Sequence, residues 1–188
     1  MSQAFPIIKR PFRSAKPRTT GLTMVLDKGM GVVALKDWLE IAGEHVDIVK
    51  LGWGTSGVMP EAVLREKIRI LDERGILVSP GGTFLEIAYA QRRVAPFLQA
   101  ARELGFSCIE VSDGTVTMPH GDKVRLIEQA RSRGFTVFSE VGKKFELEDK
   151  RYPLEQRIDD LQEELRAGAQ KVIIEARESG TFGIFNAE

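Results

Sequence analysis

The sequence contains very little cysteine. Cys108 is the one cysteine among 188 residues, so an internal disulfide and a zinc cage built from cysteines are both excluded. It lies in an apolar run, where a packed core thiol is expected rather than a reactive nucleophile. Any chemistry is therefore expected to come from other residue types.

An excess of charge of either sign is also missing. Lys and Arg together number 27, as do Asp and Glu, so no global field draws the chain to nucleic acid or to an anionic membrane. No apolar run reaches the roughly 20 residues that span a bilayer, and no signal-peptide pattern precedes the first strand. We expect a soluble, cytoplasmic protein with no nucleic-acid or membrane partner.

The N-terminal segment lacks acidic residues. We predict a basic arm over residues 1–20 and one (β/α) domain over residues 21–188. The arm is either a solvated extension or a segment whose cations reach an anionic ligand or a neighbouring subunit; a transit peptide is a weaker option, since no clear amphipathic helix is present. Its basic residues are Lys9, Arg10, Arg13, Lys16 and Arg18.

The remaining sequence repeats one unit, which consists of an apolar strand, a loop, an amphipathic helix and a glycine. Continuous apolar runs rich in Val and Ile are typical of strands buried on both faces of a parallel sheet. The predicted strands cover residues 22–27, 47–51, 76–79, 108–112, 136–141 and 171–175. The predicted helices cover residues 33–42, 60–74, 84–104 with a break near Pro96, 120–133 and 153–167.

Strands alternating with helices predict an α/β fold with a parallel sheet. A doubly wound open sheet and a TIM (β/α)8-type barrel both satisfy this pattern. The sequence has no Gly-x-Gly-x-x-Gly after its first strand, and a charged or polar group at nearly every strand end favours the barrel. Since a full barrel typically needs about 250 residues, we expect one truncated after about six βα units.

Charged residues near strand ends are the main indication of function. Glu110, Glu140 and Glu175 end three apolar runs, and Asp27 and Lys50 end two earlier ones. A buried charge is costly unless it is paired or binds a metal. Because parallel strands present their carboxyl ends at one mouth of a barrel, these charges are expected to converge there.

These strand-end motifs closely resemble the phosphosulfolactate synthase family. Six of them follow in order along most of the chain, which makes the resemblance specific. They are GLTMVLDKG at 21–29, VKLGWGTS at 49–56, PGGT at 80–83, IEVSDG at 109–114, SEVGKK at 139–144 and VIIEARESG at 172–180.

The resemblance implies a (β/α)8 barrel that adds sulfite to phosphoenolpyruvate with Mg²⁺, a lyase reaction that gives (2R)-phospho-3-sulfolactate early in one route to coenzyme M. The family also has non-catalytic or stress-associated relatives, so the alternative is a homologue that uses the barrel as an interaction scaffold. A third reading is another Mg²⁺-dependent reaction of an enol phosphate or 2-oxo acid, because the same residues would serve it. The length departs from the family pattern, which continues through two more βα units.

We predict the following roles. Glu110, Glu140 and Glu175 lie on neighbouring strands and are the candidate Mg²⁺ ligands, since this ion prefers oxygen ligands. Lys143 matches a family lysine and is the candidate general acid, with Lys144 hard to distinguish from it. The second catalytic candidate is Asp27, which is either a fourth metal ligand or a partner of Lys50.

Anionic substrates require cations and free backbone N–H groups. Lys50 and Arg177 are the main candidate substrate-binding side chains, and Lys28 is a weaker one. Gly81 and Gly82 lie in a strand-to-helix loop whose N–H groups are suited to oxyanions. A homo-oligomer is expected, because open sheet edges promote association.

Overall fold

The structure is a computed structural model, and it describes residues 5–9, 11–143 and 151–175. Within these residues there are six strands and six α-helices, with one helix between successive strands except between the third and fourth strands, where there are two. The strands are β1 (Met24–Asp27), β2 (Ile48–Leu51), β3 (Leu77–Ser79), β4 (Cys108–Val111), β5 (Thr136–Val141) and β6 (Lys171–Ile174). The helices are α1 (Val32–Ala42), α2 (Glu61–Asp72), α3 (Gly82–Ala90), α4 (Val94–Leu104), α5 (His120–Ser132) and α6 (Leu154–Ala167). Two short 3₁₀ helices, Gly43–His45 and Gly52–Gly57, flank β2.

The strands form parallel sheets in chain order. One sheet has the order β1-β2-β3 and the other β4-β5-β6, and every described strand pair is parallel. Strand β3 contacts β4, so the two sheets lie side by side, with all six strands in chain order. Parallel strands joined by helices give the α/β architecture that the repeating pattern predicts.

The sheets separate two hydrophobic clusters. The smaller cluster, here called the inner cluster, contains Ile48, Cys108 and Phe138. Each of these residues lies two positions before a charged residue, namely Lys50, Glu110 and Glu140. Since side chains two apart in a strand point to the same face, these charges lie on the inner-cluster face, nearer the strands' carboxyl ends. They are therefore placed at the mouth.

The larger cluster fills the space between the opposite face of the sheets and the helices. Helix α1 contributes Leu35 and Leu39, and α2 contributes Ile68 and Leu71, all at most 4% exposed. Full burial of one such side chain stabilises the fold by roughly 1.5–3 kcal/mol. This packing fixes the strands, and hence the positions of the residues at their ends.

The segment predicted as one helix with a break near Pro96 forms two helices. The break lies at residues 91–93, where Arg92 has a φ of 57°. Pro96 is the third residue of α4, so its missing N–H falls in the first turn, where no intrahelical partner exists.

The N-terminal arm has no helix or strand within residues 5–9 and 11–21. Arg13 and Arg18 form ion pairs with Asp47 at 3.1 Å and 2.7 Å, and Lys16 donates to the backbone oxygen of Gly43 at 2.7 Å. Asp47 directly precedes β2, so these contacts lie at the amino ends of the strands. In the described part of the chain, these three cations bind the domain itself, at the end away from the mouth. None of the described helices has the length and apolar character needed to cross a membrane.

Candidate active site

Lys50 lies between two glutamates at the mouth. Its Nζ is 2.6 Å from Oε1 of Glu110 and 3.9 Å from Oε2 of Glu140. The side chain of Lys50 is 19% exposed, whereas that of Glu110 is fully buried. Burial lowers the pKa of Lys50, but the carboxylates of Glu110 and Glu140 outweigh it and leave that pKa above its usual value. Lys50 is therefore a cation that still reaches solvent.

Glu110 is the more deeply buried of the two glutamates at the mouth. Burial raises its pKa above the usual value, although Lys50 opposes this effect. Oε1 accepts hydrogen bonds from Lys50 and from the N–H of Gly82, the latter at 3.0 Å. Oε2 is buried and has no hydrogen-bond partner among the described residues. Because an unpaired buried carboxylate oxygen is costly, this atom is suited to a cation or a ligand proton.

The two glycines of the predicted oxyanion loop lie against Lys50 and Glu110. The structure directs their N–H groups to protein atoms, since Gly81 donates to Oγ of Ser79 at 3.1 Å and Gly82 donates to Glu110. Gly81 has a φ of +84°, and a Cβ there would lie 3.0 Å from the backbone oxygen of Leu51. The loop that contains Gly81 and Gly82 therefore helps to orient the ion pair of Lys50 and Glu110.

Lys143 lies just after β5 and is held by Asp113. Its Nζ forms an ion pair with the Asp113 carboxylate and donates to the Asp113 backbone oxygen at 3.0 Å. Burial raises the pKa of Asp113, but the nearby ammonium groups of Lys123 and Lys143 outweigh it and hold that pKa below its usual value. The predicted acid is thus oriented by an ionised carboxylate.

Lys123 extends this arrangement into the helical layer, and sequence reasoning missed it. Its side chain is 4% exposed, and its Nζ lies 2.7 Å from Oε1 of Glu164 and 2.9 Å from Oδ1 of Asp113. It also donates to the backbone oxygen of Glu140 at 2.6 Å. Asp113, Lys123, Lys143 and Glu164 are called the Lys123 network below.

A signal for this network was present in the sequence. Lys123 lies three and four positions before Leu126 and Ile127, so it occupies the apolar stripe of α5. A charged residue on such a stripe is buried with the stripe and must be paired. The same reasoning identifies Lys67, which lies between Leu64 and Ile68 on the stripe of α2.

Asp27 lies away from Lys50. Its Oδ2 is 2.6 Å from Nζ of Lys67, and both side chains are fully buried. Its Oδ1 accepts the N–H groups of Gly29 and Met30 at 2.8 Å. The register pairs Lys50 with Leu26, so Asp27, one residue on, points to the opposite, helix-facing side. The structure therefore does not pair Asp27 with Lys50. Instead, the Asp27 carboxylate stabilises the loop after β1 through its hydrogen bonds to Gly29 and Met30.

The remaining predicted residues are spread around the rim. Nζ of Lys28 lies 4.8 Å from the ring centroid of Trp53, a cation–π contact. The N–H of Glu175 donates to the backbone oxygen of Val141 at 2.9 Å, and its carboxylate contributes to the raised pKa of Lys50. Arg177 and Lys144 lie outside the described residues.

Comparison with known proteins decides the family. The model of the family (2R)-phospho-3-sulfolactate synthase (ComA) matches residues 11–188. The chain belongs to this family. The phosphosulfolactate synthase of Methanothermobacter thermautotrophicus is 44% identical over 184 residues, which cover 97% of this chain and 71% of that protein. The phosphosulfolactate synthase of Bacillus subtilis is 39% identical over 177 residues, covering 94% of this chain and 69% of that protein. The resemblance seen in the strand-end motifs is confirmed.

Solved structures agree with the fold of a phosphosulfolactate synthase family member. The carboxyl transferase domain of Rhizobium etli pyruvate carboxylase superposes with a TM-score of 0.52 at 15% identity, covering 84% of this chain and 27% of that one. The T882A form of Rhizobium etli pyruvate carboxylase gives a TM-score of 0.53 at 15% identity, covering 81% of this chain and 16% of that one. These neighbours are TIM-barrel enzymes, which confirms the predicted α/β fold of TIM-barrel type.

The structure brings together only part of the predicted Mg²⁺ ligand set of Glu110, Glu140 and Glu175. Among residues 5–9, 11–143 and 151–175, no three His, Cys, Asp or Glu side chains form a group that could hold a metal ion. Glu110 and Glu140 do share one mouth, with Lys50 beside both. Mg²⁺ usually takes one or two carboxylates and completes its shell with water and substrate oxygens. Two carboxylates, one with a buried oxygen lacking a hydrogen bond, therefore fit this ion.

Proposed function

We propose that this chain catalyses the addition of sulfite to phosphoenolpyruvate, with Mg²⁺, to give (2R)-phospho-3-sulfolactate. The observation that carries the proposal is Lys50 held beside Glu110 and Glu140 at the mouth of the sheets. Enzymes of this fold place their chemistry at the carboxyl ends of the strands. The names of the M. thermautotrophicus and B. subtilis relatives support the same reaction.

Both proposed substrates are anions, and the mouth supplies cations for them. Lys50 is partly exposed, so its ammonium can exchange some of its contact with Glu110 for a substrate phosphate or carboxylate. Lys28 on the rim offers a second cation beside the Trp53 ring. Arg177 is proposed as a third, because a guanidinium suits phosphate and sulfonate oxygens.

The reaction needs one new bond and one proton. The sulfur lone pair of sulfite forms a C–S bond with the methylene carbon of phosphoenolpyruvate, and the C=C electron pair moves onto the adjacent carbon and its carboxylate. The Lys143 ammonium then donates a proton to that carbon, and solvent returns a proton to the amine. The phosphate ester is unchanged. Asp113 supports this role by orienting the Lys143 ammonium.

Glu110 and Glu140 are the residues proposed to hold Mg²⁺, with Glu175 as a further carboxylate nearby. When bound, the ion supplies counter-charge for the negative charge that develops on the substrate carboxylate. Gly82 and Lys50 keep the Glu110 carboxylate in place. Both contacts use Oε1 and leave Oε2 without a hydrogen bond among the described residues.

The test is a ³¹P NMR time course with phosphoenolpyruvate, sulfite and Mg²⁺. We expect a new phosphate-ester resonance that requires sulfite and is lost when the metal is chelated. In Lys50→Met, the rate should fall by roughly 100-fold, which corresponds to about 3 kcal/mol of lost transition-state stabilisation. The matched control is Lys36→Met, because Lys36 lies on α1 with its side chain 54% exposed, and it should retain the wild-type rate.

The outcomes separate the alternatives. A folded protein that leaves phosphoenolpyruvate unchanged would favour a non-catalytic or stress-associated homologue. Consumption of phosphoenolpyruvate without any need for sulfite would favour another reaction of an enol phosphate. Equal rates for Lys50→Met and Lys36→Met would remove Lys50 from the site.

A further inference from the structure

We infer that Glu164 and Lys123 are positioning residues for Lys143. The inference rests on the proposed function, in which Lys143 donates the proton to carbon. It starts from an unusual arrangement in the Lys123 network, where a fully buried carboxylate on α6 meets a nearly buried ammonium on α5. Both side chains are buried from solvent, so they can affect the position of Lys143 only through direct contacts with other residues.

Glu164 and Lys123 join helix α6 to helix α5. Oε1 of Glu164 is 2.7 Å from Nζ of Lys123 and 4.0 Å from Nδ1 of His120. A buried ammonium holds a defined position only when its counter-charges are fixed. The Glu164 side chain is fully buried, and thus supplies a fixed one.

Lys123 also joins the helices to two strand ends. The same ammonium of Lys123 reaches Oδ1 of Asp113, after β4, and donates to the backbone oxygen of Glu140, in β5. The three contacts come from different parts of the fold, namely α6, the segment after β4, and β5, so they define where Lys123 lies. Lys123 in turn limits the movement of Asp113 and of the end of β5.

Asp113 links Lys123 to Lys143, the proposed acid. Asp113 divides its carboxylate between two lysines, since Oδ1 faces Lys123 and Oδ2 faces Lys143. Loss of the Glu164 charge leaves Lys123 with Asp113 as its remaining carboxylate partner in the network. Asp113 is then drawn towards Lys123, and its hold on Lys143 weakens. The network thus places the Lys143 ammonium relative to the mouth.

The test that does not depend on activity uses ¹⁵N-lysine-labelled protein. Side-chain Nζ correlation spectra are recorded at slightly acidic pH and low temperature, where the protons of paired ammonium groups exchange slowly. The Lys143 signal is assigned by its disappearance in Lys143→Arg. In Glu164→Gln this signal should shift and broaden. In Glu163→Gln it should stay in place, because Glu163 lies next along α6 but contacts His120 and is 52% exposed.

Glu164→Asp is the second variant, because it keeps the charge and favours folding while retracting from Lys123. It should move the Lys143 signal in the same direction by a smaller amount. If Glu164→Gln fails to fold, Glu164→Asp decides. A Lys143 signal that is unchanged in the folded Glu164 variants would overturn the inference.

Kinetics give the functional readout. A positioning role predicts that kcat in Glu164→Gln falls by about 10–100-fold, the range typical of outer partners that orient a functional residue, while KM for phosphoenolpyruvate stays near the wild-type value. Equal losses in Glu163→Gln would show a structural effect of α6 and contradict the inference. If wild-type protein has no synthase activity, the proposed function fails, and the Lys143 signal alone decides whether Glu164 positions that residue.

Discussion

Gly82 is the residue at which the site has least room. A Cβ at this position would lie 2.7 Å from Oε1 of Glu110 and closer still to the hydroxyl of Ser112. Neither neighbour can move freely, because Glu110 is paired with Lys50 and the Ser112 hydroxyl donates to the buried Glu86. The missing side chain therefore permits the close approach of α3 to β4.

We predict that Gly82→Ala destabilises the fold by about 1–3 kcal/mol, as overpacking of a filled interior usually does, and lowers synthase turnover by moving Glu110. Urea unfolding and the ³¹P assay measure the two effects. Gly31→Ala is the control, since a Cβ at Gly31 meets nothing within 4 Å and its φ of −72° suits alanine. Equal unfolding midpoints for the two variants would show that α3 has room to withdraw from β4.

At the same scale, the sequence shows which charges lie in buried segments but not which face each one takes. Asp27 and Lys50 both end predicted strands, yet the register pairs Lys50 with Leu26 and turns Asp27 to the helices. Register depends on contacts between distant strands, and a shift of one residue reverses the face. Lys67 pairs with Asp27 across 40 residues, and a single sequence gives no direct measure of such a contact.

At the scale of the element, local patterns predict most helices and strands, although the break between α3 and α4 lies at residues 91–93 and not near Pro96. Apolar periodicity predicted β5 with the same bounds as observed, and α6 to within one residue of Leu154–Ala167. These elements are predictable because their signals lie within a few consecutive residues. The contacts of the arm are not predictable in this way, because its partners come from elsewhere in the chain.

The contact of the arm with Asp47 should depend on pH. Burial alone would raise the pKa of Asp47, but the N–H of Thr23 and the guanidinium of Arg18 outweigh it and hold that pKa below the usual 3.8. The native carboxylate therefore binds a proton less readily than the unfolded one. Its stabilising contribution is fully present above about pH 3.8 and is lost as pH falls through the lower, native pKa.

We predict that Asp47→Asn lowers the free energy of unfolding by about 1–3 kcal/mol at neutral pH, the usual value of hydrogen bonds to a charged group. The difference from wild type should shrink progressively below about pH 3.8. Urea unfolding across this range measures it, with Glu44→Gln as the control, because the Glu44 side chain is exposed. A difference that stays constant down to acidic pH would show that the charge of Asp47 does not hold the arm.

At the scale of the whole molecule, the inner cluster joins the two sheets. Ile48 comes from the sheet β1-β2-β3, whereas Cys108 and Phe138 come from the sheet β4-β5-β6. In the described residues, no strand ladder connects β3 to β4, so side-chain contacts must hold the sheets together. The inner cluster supplies some of them, and the larger cluster, which also takes residues from both sheets, supplies others. The charged residues of the site lie on both sheets, and their spacing depends on the same packing.

The thiol of Cys108 can report whether this packing opens. It is fully buried, and burial raises its pKa well above the usual value, so a disulfide reagent should react only through an open state. Phe138→Ala removes a large part of the inner cluster and should cost about 3–5 kcal/mol. When reclosing is fast, labelling follows the population of the open state, so the rate should rise at least roughly 100-fold.

The control for this last prediction is Phe12→Ala, because Phe12 is 95% exposed and its removal should leave Cys108 labelling unchanged. The rates are measured in the absence of denaturant, with thermal unfolding of each variant recorded alongside. Faster labelling together with loss of the phosphoenolpyruvate reaction would show that the inner cluster sets the spacing of Lys50 and Glu110 across the two sheets. A wild-type labelling rate in a thermally weakened Phe138→Ala variant would mean that the opening that exposes Cys108 does not depend on Phe138, and the sheets would then be held together by the helical layer.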